Sequence, residues 1–97
     1  MKREIKFGER SALLYVGENR AMLTMLGTSL PVALADEINE VQDVTVTEVK
    51  IMDNKEYIIR MIHDHQKSEL LNIVCDAISS VYDVDTSVSY ARPENAV

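Results

Sequence analysis

The clearest alternation of hydrophobic and polar positions lies between residues 44 and 82. Residues 44–52 and 57–63 are rich in Val, Ile, Thr, Tyr and Met, which suit the half-buried surface of a strand. Asp, Asn and Lys at residues 53–55 separate the two runs, and Asp and Asn tolerate turn conformations. The pattern therefore predicts a β-hairpin closed by a three-residue loop.

The loop length determines which residues of the hairpin share a face, because side chains alternate along a strand. With three loop residues, one face pairs mainly apolar side chains and is expected to cover the core. The predicted pairs on this face are Ile51 with Tyr57, Val49 with Ile59 and Thr47 with Met61.

The second face of the predicted hairpin mixes charged and aliphatic residues. It holds Val46, Glu48, Ile58, Arg60 and Ile62, with Glu48 opposite Arg60 as an oppositely charged pair. The uncovered face of a sheet usually alternates to polar residues, so aliphatic residues there mark an interaction surface. We therefore predict that the protein forms a homodimer, or binds a protein partner, through these five residues.

An amphipathic helix is predicted directly after the hairpin. Asp64 or His65 is suited to cap it, and Glu69 lies early, where the helix dipole favours an acid. Its apolar stripe recurs at three- and four-residue steps and comprises Leu70, Leu71, Val74, Ala77, Ile78, Val81 and Tyr82. This stripe is expected to pack on the hairpin, with Leu71, Val74 and Ile78 facing the core.

Strands are also predicted near both ends of the chain. Residues 2–7 alternate charged and apolar positions, which predicts an edge strand or a loosely held end. Residues 11–16 form a short apolar run, as in a buried strand. Residues 86–90 are predicted as a last strand, and residues 91–97 as a frayed tail.

The segment from residue 20 to residue 41 fits two structures. Ala, Met and Leu in residues 20–27 are good helix formers, and a second helical piece over residues 30–41 has Ser29 as a suitable N-cap. We favour this helical interpretation. In the alternative, residues 21–26 pair with residues 11–16 as a hairpin.

The favoured order of elements is strand, helix, strand, strand, helix, strand. It predicts a single α+β domain over residues 1–97, with an antiparallel sheet of four or five strands and two helices on one face. This βαββαβ order is that of ferredoxin-like folds.

Charge and composition narrow the classes of partner. The formal net charge is -6, and Asp36, Glu37, Glu40 and Asp43 form an acidic patch within a stretch, residues 21–49, that lacks Lys and Arg. These features disfavour nucleic acid and anionic membranes and favour a protein partner with a basic surface. A single cysteine and the lack of an apolar run of membrane-spanning length favour a cytoplasmic protein.

Few residues carry candidate chemistry. His63 and His65 could share a metal ion, but a third ligand is missing, so a strand end followed by a helix start is the preferred interpretation. Cys75 lies in the middle of the predicted helix, away from the N-terminal end that activates thiols. We therefore expect no metal, no cofactor and no enzymatic activity.

The function favoured by these patterns is a small, acidic, non-catalytic protein-interaction or regulatory module, such as an inhibitor of a larger partner. The alternative is a small-molecule-sensing regulatory domain, because the same order of elements occurs in domains of the ACT type. Its ligand is then expected at a dimer interface near residues 17–20.

Overall fold

Six strands and two helices make up the part of the chain described by this computed structural model, residues 1–27 and 30–90. In chain order they are β1 (Lys2–Phe7), β2 (Arg10–Val16), β3 (Arg20–Leu26), α1 (Pro31–Asn39), β4 (Val44–Ile51), β5 (Glu56–His63), α2 (Lys67–Tyr82) and β6 (Thr86–Tyr90). The strands form one antiparallel sheet in the order β4-β5-β3-β2-β1-β6.

Both helices pack on the same face of this sheet. Burial alternates along the central strands, and the inward side chains join those of the helices in one apolar core. Its fully buried members are Ile5, Leu14, Leu23, Leu34, Ile38, Ile59, Leu70, Val74 and Ile78. A sheet covered on one side in this way keeps its other face available.

The predicted ferredoxin-like sheet of four or five strands is wrong, because residues 20–26 form strand β3 and not a helix. Helix propensities differ among common residues by less than about 0.7 kcal/mol each. Burying a large apolar side chain contributes about 1.5–3 kcal/mol. As a strand between β2 and β5, this segment buries Ala21, Leu23 and Met25. Tertiary burial therefore outweighs local propensity, and the alternative hairpin with residues 11–16 is correct.

Strand β1 is also placed differently from the sequence-based expectation. It was predicted as an edge strand or a loosely held end, but it lies between β2 and β6. Its tight connection to β2 uses Gly8, whose φ of 62° lies in the left-handed region that glycine tolerates best. Ile5 and Phe7 are consequently buried, and β6 takes the edge position.

The β4–β5 hairpin has the predicted three-residue loop. The Met52 N–H donates to the Glu56 carbonyl at 2.7 Å, and Lys55 N–H donates to the Met52 carbonyl at 3.0 Å. Lys55 takes the left-handed conformation that commonly ends such a loop. The predicted pairs Ile51–Tyr57, Val49–Ile59 and Glu48–Arg60 are all present.

A β-bulge after Val46 makes the fourth predicted pair, Thr47 with Met61, wrong. The register shifts between Val46 and Glu48, so that Val46 pairs with Met61. Val46 then packs, half-buried, against the core, and its N–H donates to Asn39 Oδ1 at 2.9 Å. The last residue of α1 thus satisfies a backbone donor of the bulged edge strand.

Both helices lie at the predicted positions, but the N-cap of α2 differs from the prediction. Helix α2 has Gln66 at its N-cap position in place of Asp64 or His65. Helix α1 follows Leu30, and the proposed cap Ser29 lies outside the described residues, as does the tail predicted over 91–97. Within 1–27 and 30–90, no helix combines the length and apolar character needed to cross a membrane.

The orientation of α2 yields a stability prediction. Val74 and Ile78 face the core as expected, whereas Leu70 is fully buried and Leu71 only half-buried. We expect Ile78→Ala to lower the free energy of unfolding by about 2–5 kcal/mol, because it leaves a cavity in the core. Leu71→Ala serves as the matched control and should cost clearly less. Urea denaturation followed by circular dichroism measures both, and an equal or larger loss for Leu71→Ala would contradict this orientation.

Candidate binding face

The face of the sheet opposite the helices is left open by the described residues, and we call it the open face. Every described strand side chain on it is exposed or half-buried. The strand registers align these side chains in rows. The Tyr15 row comprises Lys2, Tyr15, Met22, Arg60 and Glu48, and the Leu13 row comprises Glu4, Leu13, Thr24, Ile58 and Lys50. The shorter Arg20 row comprises Arg20, Ile62 and Thr45.

The open face is richer in cations than the rest of this acidic protein. Strand alternation puts several basic residues there against fewer carboxylates, although the formal net charge of the chain is -6. The cations are Lys2, Lys6, Arg20, Lys50 and Arg60, and the carboxylates are Glu4, Glu48 and Glu56. The acidic excess therefore lies elsewhere on the molecule.

A concavity of about 750 Å³ lies where the Tyr15 row meets the Arg20 row. Tyr15, Met22 and Ile62 supply apolar lining, and Lys2, Arg20 and Arg60 supply positive charge. Lys2 Nζ lies 5.2 Å from the centroid of the Tyr15 ring. Arg60 Nε lies 3.2 Å from Glu48 Oε1, and both side chains of this pair are about half exposed. Among the described residues, Lys2 and Arg20 form no ion pair.

The buried imidazole of His63 holds the β2–β3 turn that carries Arg20. His63 Nε2 lies 3.0 Å from the Gly17 carbonyl oxygen, and the His65 N–H donates to His63 Nδ1 at 3.0 Å. A carbonyl oxygen only accepts, so the hydrogen of neutral His63 is assigned to Nε2. The His63 N–H also donates to the Asn19 carbonyl at 2.9 Å. His63 is therefore a positioning residue for one wall of the concavity.

His65 is held by a different part of the chain. Its Nε2 lies 2.7 Å from the Gln42 carbonyl oxygen, and its Nδ1 lies 3.7 Å from Glu69 Oε2. The hydrogen bond to Gln42, followed by the nearby Glu69 carboxylate, raises the pKa of His65 above its ordinary value. Both imidazoles thus engage main-chain carbonyls. No group of three or more His, Cys, Asp or Glu side chains within the described ranges is arranged to hold a metal ion.

The hairpin residues predicted as an interface are not all brought together. Glu48, Ile58, Arg60 and Ile62 share the open face, but the bulge turns Val46 to the helix side. Residues 17–20, predicted near a ligand in the alternative function, form the β2–β3 turn, in which Gly17 N–H donates to the Arg20 carbonyl at 2.7 Å.

The acidic patch lies at the end of α1, on the helix side of the sheet. Asp36 and Glu37 are in its last turn, Glu40 is its C-cap, and Asp43 precedes β4 with a φ of 64°.

Cys75 is buried in α2, and burial raises the pKa of its thiol.

The part of the open face that lies on β1, β2 and β3 was not predicted as an interface from the sequence. Lys2, Tyr15 and Met22 come from β1, β2 and β3, far from the hairpin in sequence, whereas Arg20 belongs to residues 17–20 of the alternative prediction. The signal that identifies them is a period of two, since Leu13 and Tyr15 alternate with buried residues. The same period in β3 was obscured by its helix-forming composition.

The contacts of His65 predict a pH dependence of stability. The folded state binds the imidazole proton more tightly than the unfolded chain does. This stabilisation is fully present below the ordinary His pKa of about 6.5 and is lost as the pH rises through the raised pKa of the folded protein. We expect His65→Gln to remove this loss in urea denaturation between about pH 5 and pH 9.

Titration of His65 by NMR provides the direct check. Its pKa should lie above about 6.5 in the wild type, and should fall in Glu69→Gln because one source of the upward shift is removed. Asp76→Asn, a charge change elsewhere on α2, is the control and should leave the midpoint nearly unchanged. A midpoint below the ordinary value would contradict the assigned contacts.

Comparison of the chain with protein-family models, with curated proteins and with solved structures gave no match. What the open face binds must therefore be inferred from its own side chains and their charges.

Proposed function

We propose that the protein is a non-catalytic interaction module whose open face docks an acidic surface of another protein. The observation that carries this proposal is the combination of apolar and cationic side chains on one uncovered face of an otherwise acidic molecule. Each half of that combination supports a different property of the interface.

The apolar side chains supply the area that an interface buries. They form a band across neighbouring strands, with Leu13 and Tyr15 on β2, Met22 on β3, and Ile58 and Ile62 on β5. Ile62 is 48% exposed, so a partner would gain by removing it from water. Protein interfaces commonly combine apolar and polar side chains; here Lys2 and Arg20 border this band, and Arg60 lies within it between Ile58 and Ile62.

The cationic side chains favour an acidic partner over a face-to-face homodimer. A two-fold dimer would bring Lys2, Arg20 and Arg60 of one copy toward a second face of the same net sign. Only Arg60 has a carboxylate neighbour, Glu48, within ion-pair distance among the described residues. An acidic surface neutralises the free cations and also accelerates association by electrostatic steering.

A pair of matched aspartate variants tests the proposal. Ile62→Asp puts a carboxylate in the open face, and Val88→Asp puts one on the opposite side of edge strand β6. Ile62 and Val88 are 48% and 43% exposed, so both variants should fold. The immobilised wild type and variants are used to capture proteins from a lysate of the cells of origin, and the purified binder is then titrated calorimetrically.

We expect an acidic protein that binds the wild type and Val88→Asp alike, and Ile62→Asp roughly tenfold or more weakly. The new carboxylate removes apolar area, lies opposite Arg20 and repels an acidic partner. The affinity for the wild type should also fall as salt rises. Equal binding by all three proteins would refute docking on the open face. A wild-type dimer that Ile62→Asp converts to a folded monomer, measured by sedimentation, would support the homodimer instead.

A second candidate function is docking of a basic partner on the acidic patch. Asp36, Glu37 and Glu40 lie at the C-terminal end of α1, where the helix dipole is negative and no basic residue is in the last turn. Acids in that position are unfavourable for the helix, so their presence is not explained by stability. This supports a role in binding, as in an inhibitor that fills a basic groove.

Variants that remove carboxylates at the end of α1 distinguish an effect on stability from an effect on binding. Glu40→Gln should raise the free energy of unfolding by about 0.3–1 kcal/mol at low salt, because it removes repulsion with the helix dipole. Glu9→Gln, in the β1–β2 turn, is the control and should change little. A basic protein captured by the wild type and by Ile62→Asp, but lost in the double variant Glu37→Lys with Glu40→Lys, would support this second function. Loss of stability in Glu40→Gln would argue for a structural role of the carboxylate.

A further inference from the structure

We propose that the concavity on the open face is a binding site for a small organic anion, a carboxylate or a phosphate, that carries an aromatic or branched aliphatic group. This inference goes beyond protein docking, because it assigns a small-molecule site within the docking face. It depends on the shape of the concavity, on its free cations and on the rigidity of the strands that hold them.

The size and lining of the concavity suit a small ligand. Its volume of about 750 Å³ falls within the range of roughly 300–1,000 Å³ that is common for small-molecule sites. The Tyr15 ring, the Met22 thioether and the Ile62 side chain give it an apolar floor. Met adapts its shape to irregular groups, and Tyr offers a flat face to a ring or a branched chain.

The charges of the concavity favour an anionic ligand. Lys2 and Arg20 form no ion pair with the described residues, so an anion does not have to displace a carboxylate from either of them. Arg60 shares its charge with Glu48, and the half-exposed pair contributes little stability, about 0–1 kcal/mol. Three cations against one neighbouring carboxylate leave the site positive, so it attracts the carboxylate or phosphate group of an organic anion.

The three cations are held on separate, well-anchored strands. Lys2 lies on β1, Arg20 at the start of β3 and Arg60 on β5, and each of these strands is paired on both sides. The turn before Arg20 is fixed by the buried His63 through its contact with the Gly17 carbonyl. Groups carried by strands of a sheet keep their positions better than groups on loops, so little ordering is needed when a ligand binds.

Phenylacetate is a suitable probe, and phenylacetamide is its uncharged control of nearly the same shape. Titrations are followed by amide chemical shifts in two-dimensional NMR on the wild type, Arg20→Gln and Lys6→Gln. Lys6 lies on the open face but does not line the concavity. We expect saturable shifts at Tyr15, Met22 and Ile62 with phenylacetate, and about tenfold weaker binding of phenylacetamide.

The variants locate the site on the open face. Arg20→Gln should weaken phenylacetate binding about tenfold, and Lys6→Gln should leave it nearly unchanged. Both residues are exposed, so folding should be preserved, and circular dichroism checks this. Equal weakening in the two variants would indicate general attraction to a positive surface and would overturn the proposal.

Three other results would overturn it as well: no saturation with phenylacetate, equal affinity for phenylacetamide, or shifts confined to other parts of the molecule. Phenyl phosphate is titrated in parallel, and the tighter binder of the two identifies the anionic group that the site prefers. The proposed docking of a protein is tested separately, because Ile62→Asp can abolish capture of a partner whether or not phenylacetate binds.

Discussion

The pairing of β3 with both β2 and β5 is the contact on which the rest of this structure depends. It joins the N-terminal meander, β1 to β3, to the β4–β5 hairpin, and it does so in the middle of the sheet. One side of β3 contributes Ala21, Leu23 and Met25 to the core, and the other contributes Arg20 and Met22 to the open face. A slip of one residue would exchange these two sets, so the same register secures the core and the candidate site.

The sequence predicts best what is determined locally. The hairpin loop and α2 follow from short-range spacing, and both were correct in type and nearly so in extent. The interior position of β1 was not predictable, because it depends on pairing between residue 3 and residue 90. The bulge has no local signal either, since Val44, Val46, Thr47 and Val49 all suit a strand. Its consequence, the turning of Val46 toward the core, depends on contact with α1.

The candidate site likewise has a part determined by local sequence and a part determined by non-local strand pairing. The hairpin register places Glu48, Ile58, Arg60 and Ile62 on one face, but the remaining lining comes from strands whose order in the sheet is non-local. Net charge does not describe the open face for a related reason. It sums over the whole chain, whereas strand alternation sorts residues by face and leaves the acids of α1 on the opposite side from Arg20 and Arg60.

The position of β1 between β2 and β6 affects how the protein folds during synthesis. The two neighbours of β1 are made at very different times, because β2 follows it directly and β6 comes only after α2. Until β6 emerges from the ribosome, the outer edge of β1 exposes backbone groups that can pair with other chains. Pairing of β1 with β6 is also slow, because the long chain between them must lose conformational entropy before the stabilising contacts form. Lys2, which lines the concavity, is paired with Tyr15 of β2, so this side of the site does not depend on the late arrival of β6.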